Sequence, residues 1–280
     1  MGNIKVQVQW AARGGNAALY LLDGLRARND ANAWSFETNA MDQYRNDNIT
    51  LVMPVGGESS FYSDWYAPSN FNGQQITYKW ETFLTEELPN FLANYGVSPT
   101  NNAVLGLSMG GSAALTLAAY HRDQFKFAGS LSGYLNISAP GMREAIRVAM
   151  LDAGRFNVDS MWGGPPWSPS WLRNDPFVFA PRLQGLSMYI SSASGLPGEY
   201  DHPRAPIDYY NTANGMGLEL SPGQHPCIPD PHELAGYPGH LQLPVQRHAL
   251  VAVLVGRAVE GSRPDPRHHE RLVIVRDPVT

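Results

Sequence analysis

The chain has 280 residues, of which 43% are hydrophobic and 16% charged, and its formal net charge is −5. This length suits one large domain or two small ones, and a weakly acidic charge without a long basic stretch argues against a nucleic-acid partner. No apolar run approaches the length of a membrane span, and a single cysteine, Cys227, excludes an intrachain disulfide framework and a cysteine-based zinc site.

The pattern of apolar residues predicts short strands that alternate with helices. Strands are predicted at residues 4–9, 17–22, 49–55, 102–105, 126–131 and 186–191. Helices are predicted at residues 34–44, 78–95, 111–120 and 142–153. Because strands that alternate with helices form parallel sheets, the expected fold class is α/β, with a doubly wound and mostly parallel sheet.

The segment Gly106-Leu107-Ser108-Met109-Gly110 is the most informative feature of the sequence. It lies between an apolar strand and a stretch of helix-forming residues, which is the setting of a nucleophile elbow. In such an elbow the flanking glycines relieve the crowding around a strained serine, whose Oγ is presented at the carboxyl end of the sheet. Ser108 is therefore the candidate catalytic nucleophile.

A serine nucleophile needs an oxyanion hole, a base, and an acid that orients the base. We expect the backbone N–H groups of Met109, after the nucleophile, and of Leu25, in the turn after the second strand, to bind the oxyanion. The acid follows the serine in the chain order of α/β-hydrolases. Spacing alone leaves open the candidates Asp175, Glu199, Asp201, Asp208 and Glu219. His121 precedes all of them and is expected to be a surface residue.

Other residues near the expected oxyanion hole are candidates for substrate binding. Asp23 and Arg26 either form hydrogen bonds with substrate hydroxyls or pair with each other to fix the turn. Aromatic residues at 61–66 and 162–171 either form stacking platforms for a sugar or pack their loops against the core. The histidines have no ordered ligand spacing, so no metal is expected.

The composition changes abruptly after about Leu220. All seven Trp, all ten Phe and all three Lys lie before this point, whereas six of the eight His and nine of the 22 Pro lie after it. Residues 250–255 form the only convincing apolar run of this tail. A disordered tail is the simplest interpretation, but so abrupt a change calls for another explanation.

Several segments, in the same order along the chain, resemble the antigen 85 mycolyltransferase family of mycobacteria. They are Tyr-Leu-Leu-Asp-Gly-Leu-Arg-Ala at 20–27, Met-Pro-Val-Gly-Gly at 53–57, Ser-Phe-Tyr-Ser-Asp-Trp-Tyr at 60–66, Tyr-Lys-Trp-Glu-Thr-Phe-Leu at 78–84, Gly-Leu-Ser-Met-Gly at 106–110, Ser-Leu-Ser-Gly at 130–133 and Arg-Asn-Asp-Pro at 173–176. The match runs from residue 1 to about residue 219. The resemblance implies an α/β-hydrolase fold that, without any cofactor, moves mycolic acid from one trehalose monomycolate to another or to cell-wall arabinogalactan.

The resemblance also implies roles for particular residues. Ser108 matches the family's nucleophile, Leu25 and Met109 its oxyanion donors, Asp23 and Arg26 its trehalose contacts, and Glu219 its catalytic acid. An acyl-enzyme on the serine releases trehalose and then reacts with a second sugar hydroxyl, which requires a site that excludes water. Members of the family are secreted to the cell envelope and bind fibronectin, so fibronectin is a further expected partner.

The chain departs from the family pattern in three places. It begins without the family's signal peptide and first strand, so Met1 looks like an internal start, and residues 1–220 are expected to form a hydrolase domain that lacks this strand. Ile190 stands where many members have a cysteine. The Thr-His-Ser-Trp segment, which supplies the catalytic base in the family, is absent after Glu219.

We expect residues 221–280 to be an out-of-frame tail that is disordered or poorly packed. With permitted codons for residues 241–255, reading one nucleotide later can spell Tyr-Asn-Phe-Pro-Ser-Ser-Gly-Thr-His-Ser-Trp-Pro-Tyr-Trp, which contains the missing segment. In the same frame Leu272 and Val273 permit a stop codon. The chain as written is then expected to be inactive, because its serine has no histidine to activate it.

Other functions are compatible with the same residues. The first is a carboxylesterase or lipase that uses water as the acceptor. The second is a non-catalytic surface protein that binds fibronectin. A reading frame without any function is the remaining alternative.

Overall fold

The protein, seen here as a computed structural model, is described at residues 1–164 and 168–192 and along the backbone of 271–275. Its strands are β1 Ile4–Gln9, β2 Ala17–Leu22, β3 Ile49–Pro54, β4 Asn102–Leu107, β5 Phe125–Leu131, β6 Ser187–Ser191 and β7 Arg271–Val275. Across the sheet they lie in the order β6-β5-β4-β2-β3-β1-β7. β1 is antiparallel to both of its neighbours, and the other described pairs are parallel. The predicted α/β class with a mostly parallel sheet is confirmed.

The central strands place the candidate site at one edge of the sheet. In β2 every residue from Ala18 to Leu22 is buried, as is every residue of β3 after Ile49. Such unbroken apolar runs are typical of parallel strands that are covered on both faces. β2 pairs with β4 so that Leu22 lies opposite Gly106. The turn after β2 therefore lies beside the turn after β4.

Helices flank the sheet. They are α1 Ala40–Gln43, α2 Trp80–Thr82, α3 Leu88–Ala93, α4 Met109–Tyr120, α5 Met142–Gly154, α6 Val158–Trp162, α7 Pro169–Arg173 and α8 Pro176–Phe179, with 3₁₀ turns at Ala33–Ser35 and Ala180–Leu183. The residues of α4 from Met109 to Ala119 are all buried, so this helix fixes the end of β4 in the core. In the parts of the chain that the structure describes, no helix has the length and apolar character needed to cross a membrane.

The single helix predicted at residues 34–44 is wrong. The segment instead holds the turn Ala33–Ser35 and the short helix α1. Between them the Thr38 hydroxyl donates to the carbonyl of Trp34 (2.7 Å) and accepts from the N–H of Ala40 (3.1 Å). Because this side chain replaces backbone partners, one helical turn ends here and another begins.

The helix predicted at residues 78–95 is present from Trp80 to Ala93, but it is irregular. α2 continues into a π-helical turn, Phe83–Glu87, before α3 begins. Pro89 lies in the first turn of α3 and has no N–H to donate to an earlier carbonyl. The wider π turn accommodates this loss without ending the helix.

Aromatic side chains from the loop after β3 and from α6 and α7 fill the core beside α4. Phe61, Trp65, Trp162 and Trp171 are each at most 7% exposed, and the rings of Phe61 and Trp162 meet edge to face with 5.4 Å between centroids. Their interpretation as stacking platforms for a sugar is wrong, and the alternative of loop packing is confirmed for them. Tyr66, in contrast, is mostly exposed.

β7 forms one edge of the sheet and was not among the predicted strands. It pairs antiparallel with β1, from Ile4 opposite Val275 to Val8 opposite Arg271. The rest of the predicted tail at 221–280, including the apolar run at 250–255, lies outside the described residues. The proposed change of reading frame is therefore still a prediction.

Candidate active site

Ser108 lies in the turn between β4 and α4, at the carboxyl edge of the sheet. Its backbone has φ +53° and ψ −118°, which is a strained conformation for a residue with a side chain. Two hydrogen bonds hold this conformation: the Ser108 N–H donates to the carbonyl of Leu131 (2.7 Å), and the Ser108 carbonyl accepts from Gly111 (2.8 Å). The residue is partly exposed. The predicted strand–turn–helix geometry is present, and the role of Ser108 as nucleophile stays a prediction.

Close backbone contacts require the two glycines of this motif. A Cβ on Gly106 would lie 2.0 Å from the carbonyl oxygen of Gly110, and a Cβ on Gly110 would lie 2.5 Å from that of Asp23. Both distances are far shorter than van der Waals contact, and backbone atoms cannot rotate away as a side chain can. The same contacts bring the turn after β2 against the first turn of α4.

The expected oxyanion donors lie on these two adjacent turns. A Cβ added to Gly24 would lie 3.9 Å from the Cβ of Ser108, so this turn is next to the serine. The carbonyl of Leu25 accepts from the N–H of Ser59 (2.8 Å), which holds its peptide in place. Met109 is the first residue of α4, where N–H groups have no partner within the helix and the dipole is positive. The arrangement suits an oxyanion between Leu25 and Met109, and their role stays a prediction.

The loop after β3, whose aromatic residues at 61–66 were candidates for substrate binding, instead braces both turns. Ser59, Phe61 and Tyr62 have φ of +56°, +51° and +45°, and we call this segment, residues 59–62, the strained loop. The Phe61 N–H donates to the sulfur of Met109 (3.1 Å), and the Tyr62 hydroxyl accepts from the Asp23 N–H (2.9 Å). Strain of this kind clusters at functional sites. The pair of glycines at 56–57 marks a turn in the sequence, but no residue pattern marks the strain.

Asp23 is buried behind the turn, with 2% of its surface exposed. Both of its carboxylate oxygens accept from the N–H of Ala33, at 3.1 Å each. Burial raises the pKa of Asp23 to about 6 in spite of this hydrogen bond. Arg26 binds elsewhere, to the carboxylate of Asp152. The alternative in which Asp23 and Arg26 pair with each other is therefore wrong, and their contacts with a sugar stay a prediction.

We expect the stability of the fold to decrease as Asp23 ionises. Its pKa of about 6 in the folded state exceeds the usual 3.8, so between these values the folded state binds more protons and loses stability as the pH rises. Asp23→Asn removes this ionisation and keeps an oxygen for the Ala33 N–H. The variant should therefore be more stable than the wild type. This gain in the free energy of unfolding should be about 1 kcal/mol larger at pH 7.5 than at pH 5. Urea denaturation measures the gain, and an equal gain at both pH values would contradict the assignment.

Asp175, one of the candidate acids, has a structural role. It is fully buried, and its carboxylate accepts from the N–H of Phe177 (2.9 Å), which caps α8, and from the N–H of Ser138 (2.8 Å). The other candidates lie outside the described residues: Glu199, Asp201, Asp208 and Glu219. The choice of Glu219 as the catalytic acid therefore stays a prediction.

His121 lies at the surface, as expected, with 28% of its side chain exposed, and it belongs to an ion-pair cluster. Its Nε2 lies 2.9 Å from Oε1 of Glu81, and both terminal nitrogens of Arg173 donate to the same carboxylate, at 2.6 and 3.0 Å. Burial alone would raise the pKa of Glu81, but the hydrogen bonds from His121 and Arg173 lower it overall. The cluster lies at the end of α4 opposite Ser108. His121 is therefore not part of the candidate site.

The fold and the elbow together define the class of protein. A mostly parallel sheet with a strained serine in a strand–turn–helix junction at its carboxyl edge defines an α/β-hydrolase. The Esterase family model matches residues 1–200, and the chain belongs to that family. Within it the chain belongs to the antigen 85 family, as the following relatives show, and the predicted resemblance is confirmed.

Two curated relatives and one solved structure illustrate the similarity. Diacylglycerol acyltransferase/mycolyltransferase Ag85C of Mycobacterium leprae is 49% identical over 210 residues, which cover 74% of this chain and 62% of that protein. Diacylglycerol acyltransferase/mycolyltransferase Ag85B of the same organism is 47% identical over 224 residues, covering 78% of this chain and 67% of that protein. The crystal structure of Mycobacterium tuberculosis MPT51 (FbpC1) matches with a TM-score of 0.63 and 34% identity, over 77% of this chain and 76% of that one. The chain thus spans about three fifths of the length of Ag85C.

Proposed function

We propose that this protein is a serine acyltransferase that moves mycolyl groups between trehalose monomycolates or to cell-wall arabinogalactan. The observation that carries the proposal is the contact between the Ser108 elbow and the turn after β2. This turn contains Asp23, Leu25 and Arg26. The names of two relatives support the chemistry, because both are called diacylglycerol acyltransferase/mycolyltransferase. Mycolates and arabinogalactan are cell-envelope materials, so the proposal includes secretion to that compartment.

In the first proposed step, Oγ of Ser108 attacks the carbonyl carbon of the mycolyl ester. The base takes the hydroxyl proton and passes it to the leaving trehalose oxygen, so the ester of Ser108 forms as the ester of trehalose breaks. In the second step a hydroxyl of another sugar attacks this acyl-enzyme, and Ser108 regains its proton. The N–H groups of Leu25 and Met109 stabilise the oxyanion that forms in each step.

Asp23 and Arg26 are proposed to bind the sugar. Asp23 is 2% exposed, so its contact with the sugar requires the turn after β2 to open. Its carboxylate is mostly ionised at neutral pH, since its pKa is about 6, and it then accepts hydrogen bonds from hydroxyl groups. Arg26 is a donor for the sugar's oxygens, and its side chain is 55% exposed. Together the two residues offer the acceptors and donors that a sugar needs.

The family's Thr-His-Ser-Trp segment, which would supply the base, is absent from the sequence as written. We propose that Glu219 orients a histidine of a Thr-His-Ser-Trp segment, which a shift of reading frame after about Glu219 has removed. Codons permitted for Ala249 and Leu250 can encode this histidine in the next frame. The chain as written is then a poor catalyst, because the members of a triad act as a unit.

The test compares the chain as written with a frame-restored chain, in which the codons after about Glu219 are read one nucleotide later. With trehalose monomycolate as donor and acceptor, the frame-restored chain is expected to form trehalose dimycolate about 10³-fold faster or more. Sequencing of the gene around the Glu219 codon is the independent check. An intact frame there, with equal activity of the two chains, contradicts the frame shift.

Hydrolysis is the second candidate function, and the match to the Esterase family model favours it. A hydrolase uses the same serine and passes the acyl group to water. The ratio of trehalose dimycolate to free mycolic acid at saturating trehalose monomycolate separates the two functions, and we expect dimycolate to dominate. A fibronectin-binding role requires no catalysis, and binding that persists in Ser108→Ala would support it.

A further inference from the structure

Arg26 connects the turn after β2 with α5. Its guanidinium donates to the carboxylate of Asp152, which lies in the last turn of α5. The C-terminal end of a helix carries partial negative charge, so a cation there is favoured by the helix dipole as well as by the carboxylate. The two side chains are 55% and 30% exposed. The pair therefore lies where a substrate can reach it.

The same end of α5 also lies against the chain that follows β3. A Cβ on Gly154, the last residue of α5, would lie 3.2 Å from Oε2 of Glu58. Burial raises the pKa of the Glu58 carboxyl, and the nearby positive charge of Arg26 partly offsets this. The Asn72 side-chain amide donates to the carbonyl of Gly154 (3.0 Å). The C-terminal end of α5 is therefore anchored where Arg26 meets it.

A surface cavity of about 470 Å³ opens beside this pair. It is lined by Lys5, Glu58 and residues 26–30. Small-molecule sites have volumes of about 300–1,000 Å³, so the cavity is large enough for a disaccharide. Six of its seven lining residues have polar or charged side chains, which can form hydrogen bonds with hydroxyl groups. Arg26 thus meets α5 and borders a cavity for a polar ligand.

We propose that Asp152 is a positioning residue that holds the Arg26 guanidinium at the edge of this cavity and ties the turn carrying Leu25 to α5. The identity of the ligand, trehalose or the trehalose part of its mycolate, depends on the proposed function. The link that Asp152 makes between the turn and α5 does not. Without Asp152 the Arg26 side chain samples several rotamers, and this freedom is lost when the sugar binds. Sugar binding is then weaker, although every group that touches the sugar is still present.

The first test measures trehalose binding to the full chain by calorimetry. Asp152→Asn is expected to weaken trehalose binding about threefold to fivefold, which is a typical effect of losing a half-exposed ion pair. Asp152→Glu keeps the negative charge and is expected to restore most of the affinity. Glu144→Gln is the matched control, because Glu144 also lies on α5 and pairs with Arg143 and Arg147, which do not line the cavity. It is expected to bind trehalose like the wild type.

A double-mutant cycle separates positioning from a general loss of stability. In an Arg26→Gln background, Asp152→Asn is expected to weaken trehalose binding no further, since the residue that it positions is gone. A full threefold to fivefold loss on top of Arg26→Gln would overturn the proposal.

Hydrogen–deuterium exchange gives a readout that needs no ligand. In Asp152→Asn the amides of residues 23–28 are expected to exchange about twofold faster or more, whereas in Glu144→Gln they exchange as in the wild type. If the wild type does not bind trehalose, the proposed function fails and exchange alone decides the inference. Unchanged exchange at residues 23–28 in Asp152→Asn overturns it.

Discussion

Ser108→Ala in the frame-restored chain is expected to lower the rate of mycolyl transfer by about 10⁴- to 10⁶-fold. The substitution removes only the Oγ on which the acyl-enzyme forms and leaves the strained backbone unchanged. The free energy of unfolding is therefore expected to change by less than about 0.5 kcal/mol. Formation of trehalose dimycolate measures the first effect, and urea denaturation measures the second.

Ser112→Ala is the matched control for this experiment. Ser112 lies one turn further along α4, and its buried hydroxyl donates to the carbonyl of Tyr134 (3.0 Å) and accepts from the N–H of the same residue (2.7 Å). The control is expected to lose stability, by about 1–2 kcal/mol, and to keep its rate per folded molecule. Transfer by Ser108→Ala at more than about 1% of the parent rate would show that another group is the nucleophile.

Gly110→Ala is expected to lower the free energy of unfolding by about 3 kcal/mol. The new Cβ would lie 2.5 Å from the carbonyl oxygen of Asp23 and 2.7 Å from that of Leu22, so α4 or the turn after β2 has to move. Either movement separates Leu25 from Met109. We therefore also expect mycolyl transfer by the frame-restored chain to fall by more than about tenfold, as when one oxyanion donor is lost. Urea denaturation and dimycolate formation measure the two effects.

Gly73→Ala isolates the effect of backbone conformation from that of contact. Gly73 has φ +73°, and a Cβ added to it would meet nothing within 4 Å. Its substitution is expected to cost about 1 kcal/mol through the left-handed backbone alone. If Gly110→Ala lowered the free energy of unfolding no more than Gly73→Ala does, the close backbone contacts of Gly110 would not be the reason that this position requires glycine.

The architecture around the site was predictable because it follows from local patterns. The apolar runs of β2 and β3 have the length and composition of buried parallel strands, and they form such strands. The elbow likewise combines a short motif with a strand before it and a helix after it. In contrast, spacing alone left several carboxylates open as the catalytic acid, and only the family resemblance singled out Glu219.

The features that the sequence missed depend on contacts or on side-chain competition that periodicity does not record. Thr38 divides the helix predicted at 34–44 through two hydrogen bonds of a single hydroxyl. The pair of Arg26 and Asp152 joins residues that are 126 positions apart. Burial, and not a neighbouring charge, is the main cause of the raised pKa of Asp23. The last two need the assembled tertiary structure, and the first is a local competition that the apolar periodicity does not record.

Selection for heat resistance and selection for catalysis should act in opposite directions on the strained loop. Ser59 has φ +56° and a buried hydroxyl that finds no hydrogen-bond partner among the residues that the structure describes, so glycine at this position relieves the strain and removes the orphaned group. In a library sorted only for survival on heating, glycine should accumulate at 59. In a library sorted for acyl transfer, serine should persist, because a stiffer residue holds the N–H that braces Leu25. At the strained loop, thermal stability and catalytic rate are therefore expected to favour different residues.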